Sequence, residues 1–104
     1  MTARLSIRFT SRAAGHAREA GRWWHTNRTK APAALREELA RALQLVTTQP
    51  DAGAIAHNVR LRGVRRVLLR RVSCHLYYRV VETPSRGIQV VALWHAGRGD
   101  KPEL

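Results

Sequence analysis

Hydrophobic and polar residues alternate near the start of the chain and then change to a helical period. Leu5, Ile7 and Phe9 are separated by polar residues, which is the pattern of a strand with one solvent-exposed face. Ser11 offers a helix N-cap, and in 11–28 the apolar residues Ala13, Ala17, Ala20 and Trp24 recur every three or four positions. We therefore predict an N-terminal strand followed by a helix with a narrow, alanine-rich apolar stripe.

A second amphipathic helix is predicted after a short linker, 27–31. Pro32 suits a first helical turn and Pro50 ends the segment, and the apolar stripe between them consists of Leu35, Leu39, Leu43 and Val46. Two amphipathic helices joined so closely are expected to form an antiparallel hairpin. Such a hairpin needs a third surface to cover its remaining apolar area.

The second half of the chain predicts this surface as β-strands. Strand-like segments rich in Val, Leu, Tyr and Trp occupy 64–72, 75–82 and 88–95. Residues 55–61 are either a further strand or an extended connection, and Gly63 indicates a tight turn or a bulge. The final segment, 96–104, is expected to be irregular because it contains two glycines and a proline.

The fold class predicted from this order is α+β. It consists of an N-terminal strand, a two-helix antiparallel hairpin, and then a three- to four-stranded, mainly antiparallel sheet. A chain of 104 residues with 44% apolar and 25% charged residues has the length and composition of a folded domain. We predict a single domain spanning 1–104.

The charge balance predicts an anionic partner. Lys and Arg number 19 against 7 Asp and Glu, giving a net charge of +12, and the only lysines are Lys30 and Lys101. The planar guanidinium of arginine pairs in a bidentate manner with carboxylate or phosphate. The densest cluster has no acidic residue and contains Arg60, Arg62, Arg65, Arg66, Arg70 and Arg71. It can bind phosphate, bind an acidic protein, or form a solvated face with no specific role.

Cysteine and histidine usage predicts no disulfide, metal or cofactor. Cys74 is the only cysteine and is expected to be a small buried residue on a strand, and the five histidines show no tight ligand spacing. Residues 1–9 are too short and too charged for a signal peptide, and no apolar run approaches the roughly 18 residues of a membrane span. We predict a cytoplasmic protein.

Several short strings occur in order along the chain: Trp23-Trp24, Asn27-Arg28, Ala31-Pro32, the helix at 35–43, Gly63-Val64-Arg65-Arg66, Tyr77-Tyr78-Arg79-Val80, and Leu93-Trp94-His95 followed by Arg98-Gly99. Together they resemble the RelE/ParE superfamily of toxins from bacterial type II toxin-antitoxin systems, and the ParE-like branch in particular. The resemblance covers nearly the whole chain and depends on the order and spacing of the strings, because none is specific by itself.

The resemblance implies a RelE/ParE-like fold and a small toxin around which a cognate antitoxin wraps its acidic C-terminal segment. ParE-like members poison DNA gyrase, whereas RelE-like members cleave messenger RNA in the ribosomal decoding site. The residues expected to bind the antitoxin are Arg60, Arg62, Arg65, Arg66, Arg70, Arg71 and, at the edge of the first helix stripe, Trp23. Trp23 can instead seal the helix pair.

Ribonuclease chemistry requires a base, cations for the developing phosphorane charge, and an acid. The residues available for these roles are His95 as acid or base, with Arg65 and Arg98 as a phosphate clamp. A histidine that only caps the end of the last strand is the favoured interpretation of His95, and neither lysine lies in the predicted sheet. Tyr77 and Tyr78 point to opposite faces of a strand, so we expect one of them in the core.

The function expected from these arguments is a toxin that poisons DNA gyrase without catalysis. Two alternatives stay open: a ribosome-dependent messenger RNA endonuclease, and a basic nucleic-acid-binding module whose affinity falls steeply with salt.

Overall fold

The computed structural model describes residues 5–28, 31–57, 59–98 and 101–104. Its elements are β1 (Ser6–Phe9), α1 (Ser11–Asn27), α2 (Ala34–Thr48), β2 (Ala54–Ile55), β3 (Arg65–Leu69), β4 (Cys74–Val81) and β5 (Gly87–His95). Short 3-10 turns follow β3 (Arg70–Val72) and β5 (Ala96–Arg98). The predicted α+β order is confirmed.

The strands form one mixed sheet in the order β1-β5-β4-β3-β2. β1 runs parallel to β5, and each other pair of neighbouring strands is antiparallel. A β-bulge interrupts the β4-β5 ladder, because Tyr77 lies opposite Ala92 and Tyr78 opposite Val90. The extra residue, Val91, changes the alternation of β5, so that Val91 and Ala92 both pack on one side of the sheet.

The two helices pack on one face of the sheet and form the main core with it. Thr10 caps α1, because its side chain accepts a hydrogen bond from the Ala13 N–H; the predicted cap, Ser11, is the first helical residue. α2 begins at Ala34, so Pro32 lies in the turn before the helix. The core residues are Ala13, Ala34, Leu35, Val46, Leu69, Val72, Cys74, Leu76, Tyr78, Ile88, Val90 and Leu93.

A smaller apolar cluster lies on the opposite face of the sheet and contains no helix residue. Its buried members are Val64, Tyr77, Val91 and Ala92. The connection between β2 and β3 and the last described residue, Leu104, pack against it. Tyr77 and Tyr78 therefore point to opposite faces, as predicted, but both are buried, at 4% and 0% exposure.

The strand predicted at 64–72 is shorter in the structure. β3 ends at Leu69, and the chain then makes a 3-10 turn followed by Ser73 in the left-handed region, with φ 52°. A hydrogen bond stabilises this corner: the Glu38 carboxylate accepts the Arg71 N–H at 3.0 Å. If the strand continued, the Arg71 N–H would not point at Glu38. Of the segment 55–61, only Ile55 lies in a strand among the described residues, and Gly63 occupies a turn with φ 75°.

Candidate functional site

An apolar cleft opens between α1, the start of α2 and the ends of β4 and β5. Its volume is about 630 Å³, and its apolar lining consists of Ala20, Trp24, Leu35, Val72, Cys74 and Leu93. Polar and aromatic side chains also line it, namely His16, Glu19, Arg22, Trp23 and His95. An apolar cavity with a few polar groups around it is the usual form of a binding site.

The two adjacent tryptophans have different environments in this cleft. Trp24 packs against the core and donates its indole N–H to the Ala31 carbonyl, so it continues the helix stripe as predicted. Trp23 is 49% exposed, and the Arg28 guanidinium lies 5.6 Å from its ring centroid. An exposed tryptophan beside an apolar cleft is typical of an interface residue.

The six clustered arginines do not form one continuous patch. Arg65 and Arg66 point to opposite faces of β3: Arg65 donates to the Gly53 carbonyl at 2.8 Å, and Arg66 to the Tyr77 hydroxyl at 3.4 Å. Arg60 and Arg62 precede β3 and are exposed. The cluster therefore follows the edge of the sheet that ends in the short strand β2.

The remaining two arginines lie at the corner after β3. Arg70 and Arg71 are exposed, and Arg71 is 3.6 Å from the Glu37 carboxylate. The next residue, Val72, lines the apolar cleft together with Trp23. The corner thus brings Arg70, Arg71 and Trp23 to the same end of the molecule, while Arg60, Arg62, Arg65 and Arg66 lie farther along the edge.

Two of the residues considered for ribonuclease chemistry, Arg65 and His95, are not brought together. In the strand register Arg65 lies opposite Tyr78 and His95 opposite Cys74, four residues apart on β4, or about 13 Å along the strand. His95 is exposed at the strand end, where its Nδ1 accepts the Gly97 N–H at 3.1 Å. Arg98 ends the last 3-10 turn, and its side chain lies outside the described part of the structure.

Burial shifts the pKa of three groups near these surfaces. It raises the pKa of the Cys74 thiol, so this buried cysteine favours its neutral, unreactive form. Burial is also the main cause that raises the pKa of Tyr78. The pKa of His75 is lowered, first by burial and then by the positive charge of Arg66.

Within 5–28, 31–57, 59–98 and 101–104, no group of three or more His, Cys, Asp or Glu side chains could hold a metal ion. No helix in the described residues is long and apolar enough to cross a membrane.

The sequence did not predict the cleft, although it singled out Trp23 at the edge of the helix stripe, and Trp23 lines the cleft. The lining comes from α1, α2, the corner after β3 and the end of β5, which are far apart in the chain. Residues such as Leu35 and Leu93 therefore carry no local signal that separates them from ordinary core residues. The opposite orientations of Arg65 and Arg66 follow directly from strand alternation.

These features define a small basic α+β protein with an apolar cleft beside its helix pair, and comparison with known proteins gives its class. Residues 7–99 match the model of the family described as "ParE toxin of type II toxin-antitoxin system, parDE". The chain belongs to this family of toxins.

A solved structure has the same fold. A chain of the "Chromosomal ParDE TA system from P. aeruginosa" superposes with a TM-score of 0.66 at 19% sequence identity, covering 88% of this chain and 95% of that one. No curated protein sequence matches the chain.

Proposed function

We propose that this toxin arrests growth in the cytoplasm by poisoning DNA gyrase without catalysis, and that a cognate antitoxin neutralises it. The observation that carries the non-catalytic part is the separation of His95 from Arg65 by four residue positions in the strand register. A general acid or base must lie within hydrogen-bonding reach of the group it serves, with its cations beside it. One ring nitrogen of His95 is already bonded to Gly97.

The antitoxin is proposed to enter the apolar cleft and then follow the arginine-rich edge. Trp23 and the cleft would hold an apolar anchor of the antitoxin, and Arg70 and Arg71 would pair with its acidic side chains beside the cleft. The same acidic segment would continue past Arg60 and Arg62 and then meet either Arg65 or Arg66, which lie on opposite faces of β3. The net charge of +12 favours an acidic partner of this kind.

The antitoxin site is tested by titrating the purified toxin with the product of the adjacent open reading frame. We expect Trp23→Ala to weaken binding by about 30-fold, the effect of losing an aromatic anchor worth about 2 kcal/mol. Arg70→Glu should weaken binding and reduce its salt dependence. Arg86→Glu is the matched control, because Arg86 is an exposed arginine in the turn between β4 and β5. Equal effects of Arg70→Glu and Arg86→Glu would refute the site.

Gyrase poisoning is tested with antitoxin-free toxin in supercoiling and cleavage-complex assays. We expect cleaved DNA to accumulate, and His95→Ala to leave this activity unchanged. Gyrase that is unaffected by a stoichiometric excess of toxin would refute the target.

Messenger RNA cleavage is the competing activity and is detected by primer extension on translated transcripts. Codon-specific breaks that disappear in His95→Ala would establish the endonuclease instead. A chain whose expression is harmless to the host would support a plain nucleic-acid-binding module.

A further inference from the structure

The face of the sheet opposite the two helices, called here the helix-free face, carries arginines from three different strands. Tyr78 and Val80 belong to the helix-side core, so Arg79 between them points to the helix-free face. Arg79 donates to Gln89, which lies opposite Arg8 in the β1-β5 register. Arg66 donates to the Tyr77 hydroxyl on the same side. Arg8, Arg66 and Arg79 therefore share one face.

Among the described residues, no ion pair joins a carboxylate to Arg8, Arg66 or Arg79. Their hydrogen-bond acceptors are neutral oxygens: the Thr83 carbonyl at 3.0 Å, the Tyr77 hydroxyl at 3.4 Å and the Gln89 amide at 2.9 Å. Ion pairs to carboxylates instead involve Arg41, Arg65, Arg71 and Arg86. No strand in the described residues contains an aspartate or a glutamate.

Aromatic rings lie on the same face: Tyr77 is opposite Arg66, and His75 is four residues, or about 13 Å, from Arg79 along β4. His75 is directly opposite Trp94 in the strand register, and the His75 and Tyr77 rings contact edge to face with centroids 6.2 Å apart. Leu68, opposite His75, is 49% exposed. Guanidinium groups bind phosphates in a bidentate manner, and a half-exposed ring such as that of His75 can stack on bases. The Trp94 ring contacts His16 of α1, with centroids 5.4 Å apart.

The arrangement suits a polyanion that lies across the strands and around the apolar cluster that the connection after β2 and Leu104 cover. The arginines come from β1, β3 and β4, which span three strand spacings or about 14 Å of the sheet. An acidic peptide would also need apolar anchor pockets, and the large apolar cleft opens on the helix side. Phosphates spread along a nucleic acid need only separated cations with planar groups nearby.

We propose that the helix-free face binds the phosphate backbone of a nucleic acid, with Arg8, Arg66 and Arg79 contacting phosphates and the His75 ring lying on the Arg66 side of the face. This site is independent of the proposed gyrase and antitoxin functions. Only Arg66 is shared with the proposed antitoxin edge, so Arg8 and Arg79 separate the two surfaces experimentally.

The test is fluorescence anisotropy of the full-length toxin with three mixed-sequence probes: a 20-bp DNA duplex, single-stranded DNA and single-stranded RNA. Each contacted duplex phosphate contributes about −0.9 to the slope of log affinity against log salt. Three contacts predict a slope of about −2.7, or roughly a 40-fold loss of duplex affinity between 50 and 200 mM salt. The tightest of the three probes identifies which nucleic acid the face prefers.

Variants localise the binding. We expect R8Q/R66Q/R79Q to remove most of the salt-dependent affinity, and R8Q or R79Q alone to reduce the magnitude of the slope by about 1. The matched control, R18Q/R36Q/R86Q, removes the same charge from exposed arginines of α1, α2 and the turn after β4. It should retain binding.

Three results would overturn the proposal. The first is no binding of any probe at 50 mM salt, and the second is an equal loss of affinity in both triple variants. The third is a polyglutamate peptide that binds as tightly as the nucleic acids and whose binding R8Q/R66Q/R79Q abolishes. Circular dichroism of each variant establishes that it is folded. If the triple variant does not fold, the single substitutions R8Q and R79Q give the same test.

Discussion

Removing the hydroxyl group of Tyr78 is the sharpest test of how the edge of the sheet is held. Tyr78 is fully buried, and its hydroxyl group donates to the Pro50 carbonyl at 2.7 Å and accepts the Gly53 N–H at 2.9 Å. These two bonds join β4 to the chain between α2 and β2. The Gly53 carbonyl in turn accepts the Arg65 side chain. Tyr78→Phe keeps the ring and deletes both bonds.

The expected cost follows from the groups left without partners. The N–H of Gly53 is buried, and leaving a buried donor unsatisfied costs about 1–3 kcal/mol. Pro50 is only half-buried, so losing the bond to its carbonyl adds about 0.5–1.5 kcal/mol. Tyr78→Phe should therefore lower the free energy of unfolding by about 2–4 kcal/mol, and Tm by about 10 °C or more.

Urea unfolding followed by tryptophan fluorescence measures this loss. The matched control is Tyr77→Phe on the adjacent residue, because the Tyr77 hydroxyl accepts only the long, 3.4 Å bond from Arg66. We expect the control to cost less than about 1 kcal/mol. Hydrogen exchange at the Gly53 amide should accelerate in Tyr78→Phe alone. Equal stability losses in the two variants, or unchanged exchange at Gly53, would refute the reasoning.

Three further predictions concern the buried residues Glu38 and Cys74 and the half-buried His75. Glu38→Ala should lower the free energy of unfolding by about 1.5–3 kcal/mol in thermal melts, because the Glu38 carboxylate accepts the Arg71 N–H. Glu38→Gln should recover part of this loss, since its amide oxygen can still accept that bond. Equal losses in Glu38→Ala and Glu38→Gln would refute the role of the bond. Because the pKa of His75 is lowered in the folded protein, the unfolded chain protonates this histidine more readily. The contribution of His75 to the free energy of unfolding should therefore be complete above the usual pKa of 6.5 and be lost as the pH drops below it. NMR titration should also show the pKa of His75 rising in Arg66→Gln, and an unchanged pKa would contradict the charge effect. Cys74 should react with iodoacetamide at pH 8 at least about tenfold more slowly in the folded protein than in urea, because burial raises its pKa and restricts access; equal rates would contradict its burial.

Local patterns were sufficient to predict most of the elements. The alternation at Leu5, Ile7 and Phe9 gave β1, and the apolar stripes gave α1 and α2 within a few residues of their ends. The corner at Arg70–Val72 was not predicted, because it depends on Glu38 from α2 and not on a glycine or proline in the turn. A contact between distant segments has no local signature.

The candidate surfaces were predicted less completely than the fold. The sequence singled out the arginines at 60–71 and Trp23 as residues expected to bind the antitoxin. Strand alternation would also have placed Arg65 and Arg66 on opposite faces. The helix-free face was not predicted. Arg8 and Arg79 lie on β1 and β4, and these two strands come close only because both pair with β5. The bulge at Val91 also changes which residues of β5 share a face, and a period of two cannot predict it.

The parallel pairing of β1 with β5 has a consequence for synthesis of the toxin. Ser6 lies opposite Gly87, so β1 has no partner on the ribosome until the last strand has emerged. The sheet closes only after almost the whole chain is available, and closing so long a loop is slow. We expect a translation product interrupted before β5 to lack both the β1 edge and the support of β4. Ending translation before β5 should therefore remove the support of the whole sheet and not only its last strand.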